Sequence, residues 1–542
     1  MQFFNRYKKI VCAFLFTGIV LFFSGCKKWV DVNYNPRQLT ETNASPDIIL
    51  AEVLVNQASS FANASEGYLY FWMGYHCYPF PQAADLSVSY NITPVFGVPD
   101  MQQGSTIRTL RFIDDKAMAT GQTFYAGIAK VMKAKVFTED VDKFNNIPYR
   151  ESGNPLDYPY PKYEDGKFIY EDVMRMLDTA IALIKVAVIE KNTRIVDVDV
   201  MFHGNKTQWI KFVNTLKLRL LIHQANRADR AAYIQTEMAK IIAEGSGFLG
   251  SGEDAAVNPG FTEVKPNPLY SAYGFYAGGY ESFARDNVAA NVIAMNFLKV
   301  NNDPRLDFFY SLPVLPLPPG APEPYAQLPP TNHRGNVFGA QIDAGQYPYQ
   351  NGPYISHMGG RTTHGPATTA SSGILKGYDM DAWMLTSVES LFLQAEATQR
   401  GWLTGNAKQA YLDAVRESFR WLNTGGDKNN PSLSDNMFNT WYAAETNAAN
   451  TNVSWDHAPD KYKLLMFQKY LALNGINARE TWADYRRNGA YPNIPLSVHP
   501  SRTSPVMPVR LPYPSYEYKF NSANVSAQGE INIFTSKIWW MP

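Results

Sequence analysis

Apolar residues recur along much of this chain at intervals of three and four. From Tyr170 onward, Val173, Leu177, Ile181 and Ile184 fall on one face of a helix, and Trp209, Val213, Leu216 and Leu220 repeat the pattern. Ile234, Met238, Ile241 and Ile242 mark a third stripe, which stops at Gly245. Ser45-Pro46-Asp47 predicts a helix start: a capping serine, a proline in the first turn, and an acid at the positive end of the dipole. That helix is expected to run to about Ala62, and another from about Gly121 to Phe137. In the C-terminal third, Met384 to Gly401 and Asn406 to Leu422 form one pair around Gly405. Tyr462 to Leu473 and Ala478 to Arg487 form a second, split by Asn474-Gly475. Connections this short make each pair an antiparallel hairpin.

The predicted fold class is therefore mainly α, with stacked helical hairpins that resemble tetratricopeptide repeats in geometry, joined to a loop-rich, irregular half. The helical signal weakens between about residues 245 and 380, where Gly, Pro, Tyr and Asn are frequent. The run "PVLPLPPGAPEP" from Pro313 to Pro324 cannot be helical and predicts a polyproline-like surface loop. After Pro492 the chain is again loop-rich and ends in Trp539-Trp540. The expected organisation is a signal segment over 1–25, a tether over 26–44, and a single domain over 45–542. Within that domain the helical scaffold covers about 45–245 and 381–491, the irregular insert about 246–380, and the loop-rich C-terminal part 492–542.

The N-terminus carries its own signal. Arg6, Lys8 and Lys9 precede an apolar run from Ile10 to Phe23 that is short for a membrane-spanning helix, which needs ~20 residues. A charged start, a short apolar stretch and small residues before a cut define a secretory signal. Ser24-Gly25-Cys26 resembles a bacterial lipobox, so Cys26 is the expected lipidation site and the membrane contact is an anchor rather than a span. The chain holds 49 basic and 49 acidic residues; residues 1–25 remove three basic ones, leaving 46 against 49. That balance argues against nucleic acid as a partner. With Cys12 removed and Cys26 acylated, Cys77 is left alone, expected as a small buried hydrophobe.

Motifs for catalysis, cofactors or metals do not stand up. Gly245-Ser246-Gly247-Phe248-Leu249-Gly250 matches G-x-G-x-x-G, but a helix precedes it and none follows closely, so Gly245 is read as a helix C′ residue. The eight histidines form no H-E-x-x-H or cysteine–histidine set, and no G-x-S-x-G elbow is present. Asp197-Val198-Asp199 lacks the glycine and terminal glutamate of a calcium loop. No catalytic residue, metal site or cofactor is predicted, and no particular acid pair stands out for glycoside hydrolysis.

Aromatic residues make up 14% of the chain, with 33 Tyr and 11 Trp. Tyr and Trp join a flat apolar face to a polar tip, so besides filling a core they also serve as binding platforms. Two stretches are the candidate ligand site. "YLYFWMGYHCY" at 68–78 supplies Trp72, Tyr75, His76 and Tyr78, and "YSAYGFYAGGY" at 270–280 supplies Tyr273, Tyr276 and Tyr280 among glycines. For any one of these rings the alternative is ordinary core packing.

Seven stretches, in order along nearly the whole mature chain, together resemble the SusD/RagB family, in its SusD-like branch of Bacteroidetes outer-membrane lipoproteins. They are "CKKWVDVNYNP" at 26–36, "YAGIAKVMKAKVFTEDVDKFNNIPYRES" at 125–152, "GNKTQWIKFVNTLKLRL" at 204–220 and "NDPRL" at 302–306. "SVESLFLQAEATQRGW" at 387–402, "FQKYLALNGINARETWADYRRNG" at 467–489 and "RLPYPSYEYKFN" at 510–521 complete the set. By residue type alone these are scaffold features: amphipathic helices, turn residues Asn145, Asn146 and Pro148, and Arg486-Arg487 placed to favour a helix dipole. The resemblance implies binding without catalysis, a lipid-anchored and cell-surface-facing place on the outer membrane, and a SusC-like TonB-dependent transporter barrel as partner. It implies a glycan or oligosaccharide ligand, or in some cases a peptide, held by the irregular half. The class weighed against it is a surface glycan hydrolase, and behind that a purely structural helical scaffold.

Overall fold

The computed structural model describes residues 44–59, 67–79, 86–94, 101, 104–276, 282–319, 333–341, 352–360 and 372–542. The expected signal segment and the lipidation site Cys26 lie outside the described residues. The longer helices are α1 (Pro46–Ala58), α2 (Ser105–Ala119), α3 (Thr123–Phe144), α4 (Gly166–Val186), α5 (Lys206–His223) and α6 (Ala231–Glu244). They continue with α7 (Val292–Val300), α8 (Ser387–Gln399), α9 (Ala407–Trp421), α10 (Pro431–Asn447), α11 (Lys461–Ala472) and α12 (Ala478–Arg487). Among the described residues the strands are short: β1 (His76–Cys77), β2 (Ile147–Pro148), β3 (Tyr163–Glu164), β4 (Ala255–Val257), β5 (Ala289–Ala290) and β6 (Ala382–Leu385). They pair antiparallel as β1–β5, β2–β3 and β4–β6. The fold is mainly α.

Local chemistry accounts for the helix starts. Asp165, Asn205, Thr386, Asn406, Asp460 and Asn477 each accept a hydrogen bond from a backbone N–H in the first turn of the helix that follows. Ser45 does not: its hydroxyl donates to Asp47 Oδ1 instead. Gly245 ends α6 with φ of 84°, the left-handed C′ geometry read from the sequence. The predicted helix at Met384 begins later, because Met384 and Leu385 belong to β6 and Thr386 caps α8. A third helix, α10, follows the 384–422 pair.

Successive helices pack face to face: α2 on α3, α3 on α4, α4 on α5, then α8 on α9 and α9 on α10. Helix α8 also packs on α5 and α11, which joins the two helical stretches across the intervening chain. Buried ion pairs run along this seam. Arg219 of α5 pairs with Glu389 of α8 at 3.0 Å, and Asn477 donates to the same carboxylate at 2.7 Å. Arg487 grips Glu396 through both terminal nitrogens and also meets Asp484. Lys469 lies between Glu480 at 2.9 Å and Asp484 at 2.8 Å. Arg486 donates to the Asp142 and Val509 carbonyls and lies over the Trp482 ring at 3.5 Å. Both arginines sit in the last turn of α12, as their position at a helix end implied, and are in addition buried partners in the core. Removing one member of such a pair leaves a buried charge unpaired, which typically costs ~3–5 kcal/mol.

Between α6 and α8 the chain is not featureless. It holds β4, α7 and β5, and the short helices Pro268–Tyr273, Phe283–Asp286 and Leu306–Phe309. Strand β4 pairs with β6 next to α8, so the insert is stitched to the scaffold at both ends.

Candidate functional site

The first aromatic stretch is a seam between the two halves. Trp72 is 1% exposed, donates Nε1–H to the Ser87 carbonyl at 3.1 Å, and packs edge-on against Tyr90 and Trp482. Tyr75 is 0% exposed and stacks on Tyr470 of α11 with centroids 4.9 Å apart. Its hydroxyl donates to the Tyr470 carbonyl, and the Tyr470 hydroxyl donates back to the Met73 carbonyl at 2.8 Å. Neither ring offers a face to a ligand, so Trp72 and Tyr75 are core residues and their reading as a stacking platform is corrected. The physical reason is the pairing of β1 with β5, which folds this segment inward.

Around β1 and β5 the backbone is tied into a small knot of extended segments. Asn291 N–H and the Tyr310 hydroxyl both donate to the Tyr75 carbonyl, at 3.1 and 2.8 Å. Asn291 bridges Asn336, Ala290 N–H donates to the Ser356 carbonyl, and Tyr310 bridges Met358. Cys77 sits inside this knot with its thiol 3.2 Å from the Ala290 carbonyl. Burial pushes that thiol up, so it stays protonated, a small buried hydrophobe as expected. His76 is also buried and stacks on Tyr70 with centroids 5.1 Å apart. Burial lowers its imidazole to about 3, and its Nε2 has no hydrogen-bond partner among the described residues. Tyr78 is half-buried, edge-on to Phe71, with its hydroxyl 3.4 Å from Ser87 Oγ.

The second stretch lies closer to the surface. Asn267 caps the helix Pro268–Tyr273 by accepting from Leu269 and Tyr270 N–H. Tyr273, at its end, is half-buried, and Tyr276 is 49% exposed. Phe275 between them is buried against the Arg285 guanidinium at 4.9 Å. Arg285 in turn donates to the carbonyls of Tyr273 at 3.4 Å and Met358 at 3.0 Å. At Gly274 a Cβ would come within 2.6 Å of the Tyr270 carbonyl oxygen, so this glycine is needed for a close approach and does not loosen the chain. Tyr280 lies outside the described residues. The two stretches are connected through Arg285, β5 and β1, with Tyr276 outermost and Trp72 and Tyr75 innermost.

A shallow groove that sequence reasoning missed opens beside the Pro268–Tyr273 helix. Its cavity volume is only about 10 Å³, and it is lined by Ala58, Ser59, Asn267, Pro268, Leu269, Ala382 and Trp383. That is below the ~300–1,000 Å³ of a small-molecule pocket. Its polar atoms are occupied: Asn267 donates to the Met380 carbonyl at 3.0 Å, and Trp383 to the Ile476 carbonyl at 3.1 Å. No spacing in the sequence marks Trp383, because β4 and β6 create the groove from residues far apart in the chain.

Buried carboxylates elsewhere serve the scaffold. Burial raises Glu389, while Arg219 and Asn477 hold it in place. Burial also raises Glu417, which accepts from the Ser251 and Ser387 hydroxyls and from Gly252 N–H. Asp199, weighed above as part of a cation loop, is wholly buried and accepts from four N–H donors. These are Met201 and Phe202 on Oδ1, then Gly204 at 2.8 Å and Trp209 Nε1 at 2.7 Å on Oδ2. Among the described residues no group of His, Cys, Asp and Glu is placed to hold a metal ion, and no helix is long and apolar enough to cross a membrane.

Comparison with known proteins adds to this geometry. A family model described as "Starch-binding associating with outer membrane" matches residues 36–514. Among solved structures, the chain is similar to a SusD homolog from Bacteroides fragilis with a TM-score of 0.70 and 17% identity, covering 92% of this chain and 100% of that one. A second Bacteroides fragilis SusD homolog gives 0.69 and 18%, covering 92% and 99%. A chitin-binding SusD homolog from Flavobacterium johnsoniae gives 0.64 and 19%, covering 91% and 97%. No curated protein matches.

Proposed function

The chain belongs to the SusD/RagB family, and from that premise we propose that it is a glycan-binding lipoprotein of the outer membrane. In this reading it faces the cell surface, is anchored by lipid at Cys26, and hands captured oligosaccharides to a SusC-like TonB-dependent transporter barrel without cleaving them. What carries the reading is a family match over most of the chain, combined with an open tyrosine, Tyr276, on the irregular half. Tyr273 and Tyr276 are the rings assigned to sugar contact, and His76 and Tyr78 lie deeper, at the strand β1 that pairs with β5 of the insert. The helical scaffold supports them, and the 246–380 insert presents them. The apolar residues Leu312, Val314 and Leu315 of the proline-rich loop are exposed and make a contact surface for the barrel.

Hydrolysis is the weaker reading, because Glu389 and Glu417, the carboxylates raised by burial, are engaged by scaffold partners far from Tyr276 in the sequence. The test is a glycan array probed with the chain from Lys27 to Pro542, followed by incubation with each bound glycan and an assay for new reducing ends. Binding with no new ends is the expected result. No bound glycan, or release of reducing ends, overturns the proposal.

A further inference from the structure

The hairpin β2–β3 carries a loop that is rigid and aromatic at once. Between the strands the chain reads Asn154-Pro155-Leu156-Asp157-Tyr158-Pro159-Tyr160-Pro161, so prolines of fixed φ flank Tyr160 on both sides and follow Tyr158. The loop is also held from below. Asn524 donates to the Tyr160 carbonyl at 3.0 Å and Asn521 to the Pro161 carbonyl at 2.9 Å. Lys162 N–H donates to Glu151 at 2.8 Å, and Tyr163 donates to Glu517 at 2.8 Å. Yet the side chains point outward: Tyr158 is 44% exposed and Tyr160 65%. Phe520, beside Asn521 on the supporting helix Ser515–Phe520, is 72% exposed. Among the described residues, neither tyrosine hydroxyl has a hydrogen-bond partner.

Exposing large rings on an ordered loop gains nothing for the fold, since apolar surface left in water is unfavourable. Here Tyr158 and Tyr160 each keep an open face and a free hydroxyl at the ring edge, the pairing that fits a sugar's C–H face and its hydroxyls. A loop already ordered also loses little conformational entropy on binding.

We propose that Tyr158 and Tyr160 form a second carbohydrate-binding surface on the helical half, which takes a polysaccharide chain independently of the Tyr276 site. This rests on the glycan-binding reading above. The test is affinity electrophoresis of the chain from Lys27 in gels containing soluble starch, with a pull-down on insoluble chitin as the second probe. A Tyr158→Ala/Tyr160→Ala double variant is expected to lose about tenfold in affinity for whichever polymer the wild type binds, with its melting temperature unchanged. Tyr160→Phe, which keeps the ring, is expected to retain most of the binding. If the double variant binds the polymer like wild type, the second surface is overturned while the function proposed above stands. If instead the double variant keeps polymer binding but no longer co-purifies with an outer-membrane barrel, the face is a protein contact and the inference fails. Wild-type protein that binds neither polymer nor any arrayed glycan overturns both readings.

Discussion

Tyr75 and Tyr470 hold each other's segments reciprocally. The Tyr75 hydroxyl donates to the Tyr470 carbonyl, the Tyr470 hydroxyl donates to the Met73 carbonyl, and the two rings stack at 4.9 Å. The hydroxyl of Tyr75 also lies 3.1 Å from Thr481 Oγ1, so the latch reaches α12 as well. It fastens the N-terminal and C-terminal stretches of the scaffold together at residues 395 apart in sequence. Tyr75→Phe leaves a buried carbonyl without its donor and is expected to lower stability by about 1–2 kcal/mol. Tyr75→Ala adds a cavity and is expected to cost about 3–5 kcal/mol. Urea unfolding of the purified chain measures both, and a Phe variant as stable as wild type would show that the latch contributes nothing.

Asp199 makes a comparable prediction within the scaffold. Its two oxygens satisfy four N–H groups, including the Trp209 indole, and thereby set the turn that leads into α5. Asp199→Ala strands these donors away from water and is expected to cost about 3 kcal/mol or more. Added calcium should change the melting temperature of neither protein, because the carboxylate is already saturated by N–H groups. A calcium-dependent rise in the wild type would contradict this assignment.

His223 predicts a dependence on alkaline pH. Burial would lower its imidazole, but Glu480 at 2.9 Å and Asp142 at 3.4 Å overcome this and push it up to about 9 from an ordinary 6.5. The Tyr170 hydroxyl and the Trp540 ring also face it. The folded chain therefore binds this proton more tightly than the unfolded chain does. The resulting stabilisation is complete below about pH 6.5, shrinks as pH rises, and is gone above about pH 9. Unfolding free energies measured from pH 6 to 10 should fall by a few kcal/mol across that window. A His223→Gln variant should lose this slope and be less stable at pH 6. An equal slope in the variant would assign it to other groups.

Much of the scaffold was legible in the sequence because helical packing writes a period of three and four into it. Ala478–Arg487 begins and ends where the residues predicted, and Gly245 closes α6 as read. The motif glutamates Glu389 and Glu396 were visible, but their role was not, since nothing local says that Arg219 and Arg487 arrive from other helices. The aromatic stretches were legible as aromatic and no further. A ring in a core and a ring on a binding face have the same side chain, and what separates Tyr75 from Tyr276 is a strand pair between residues far apart. The Trp383 groove was illegible for the same reason.

The anchor is tested at Cys26. A Cys26→Ala variant should lose acyl labelling and move from the membrane fraction to the soluble one. Intact mass of the wild type should show a lipidated N-terminus, and an unmodified Cys26 would remove the anchor from the proposal.

Tyr276 and Trp72 should respond to truncation in opposite ways. The Tyr276 ring is half open to water, so Tyr276→Ala removes little packing and is expected to change stability by no more than about 0.5 kcal/mol. If the ring stacks on a sugar in a desolvated contact, its loss is expected to weaken glycan binding by about 2 kcal/mol, or roughly 30-fold, the scale of an interface hot spot. Tyr273→Ala should give a smaller binding loss with some cost in stability, because that ring is half-buried at the end of its helix. Trp72→Ala empties a site between Tyr90 and Trp482 and is expected to cost about 3–5 kcal/mol, while the fraction that remains folded binds glycan as wild type does. Calorimetric titration alongside thermal unfolding separates the two cases. Tyr276→Ala with undiminished affinity would place the sugar contact elsewhere on the irregular half.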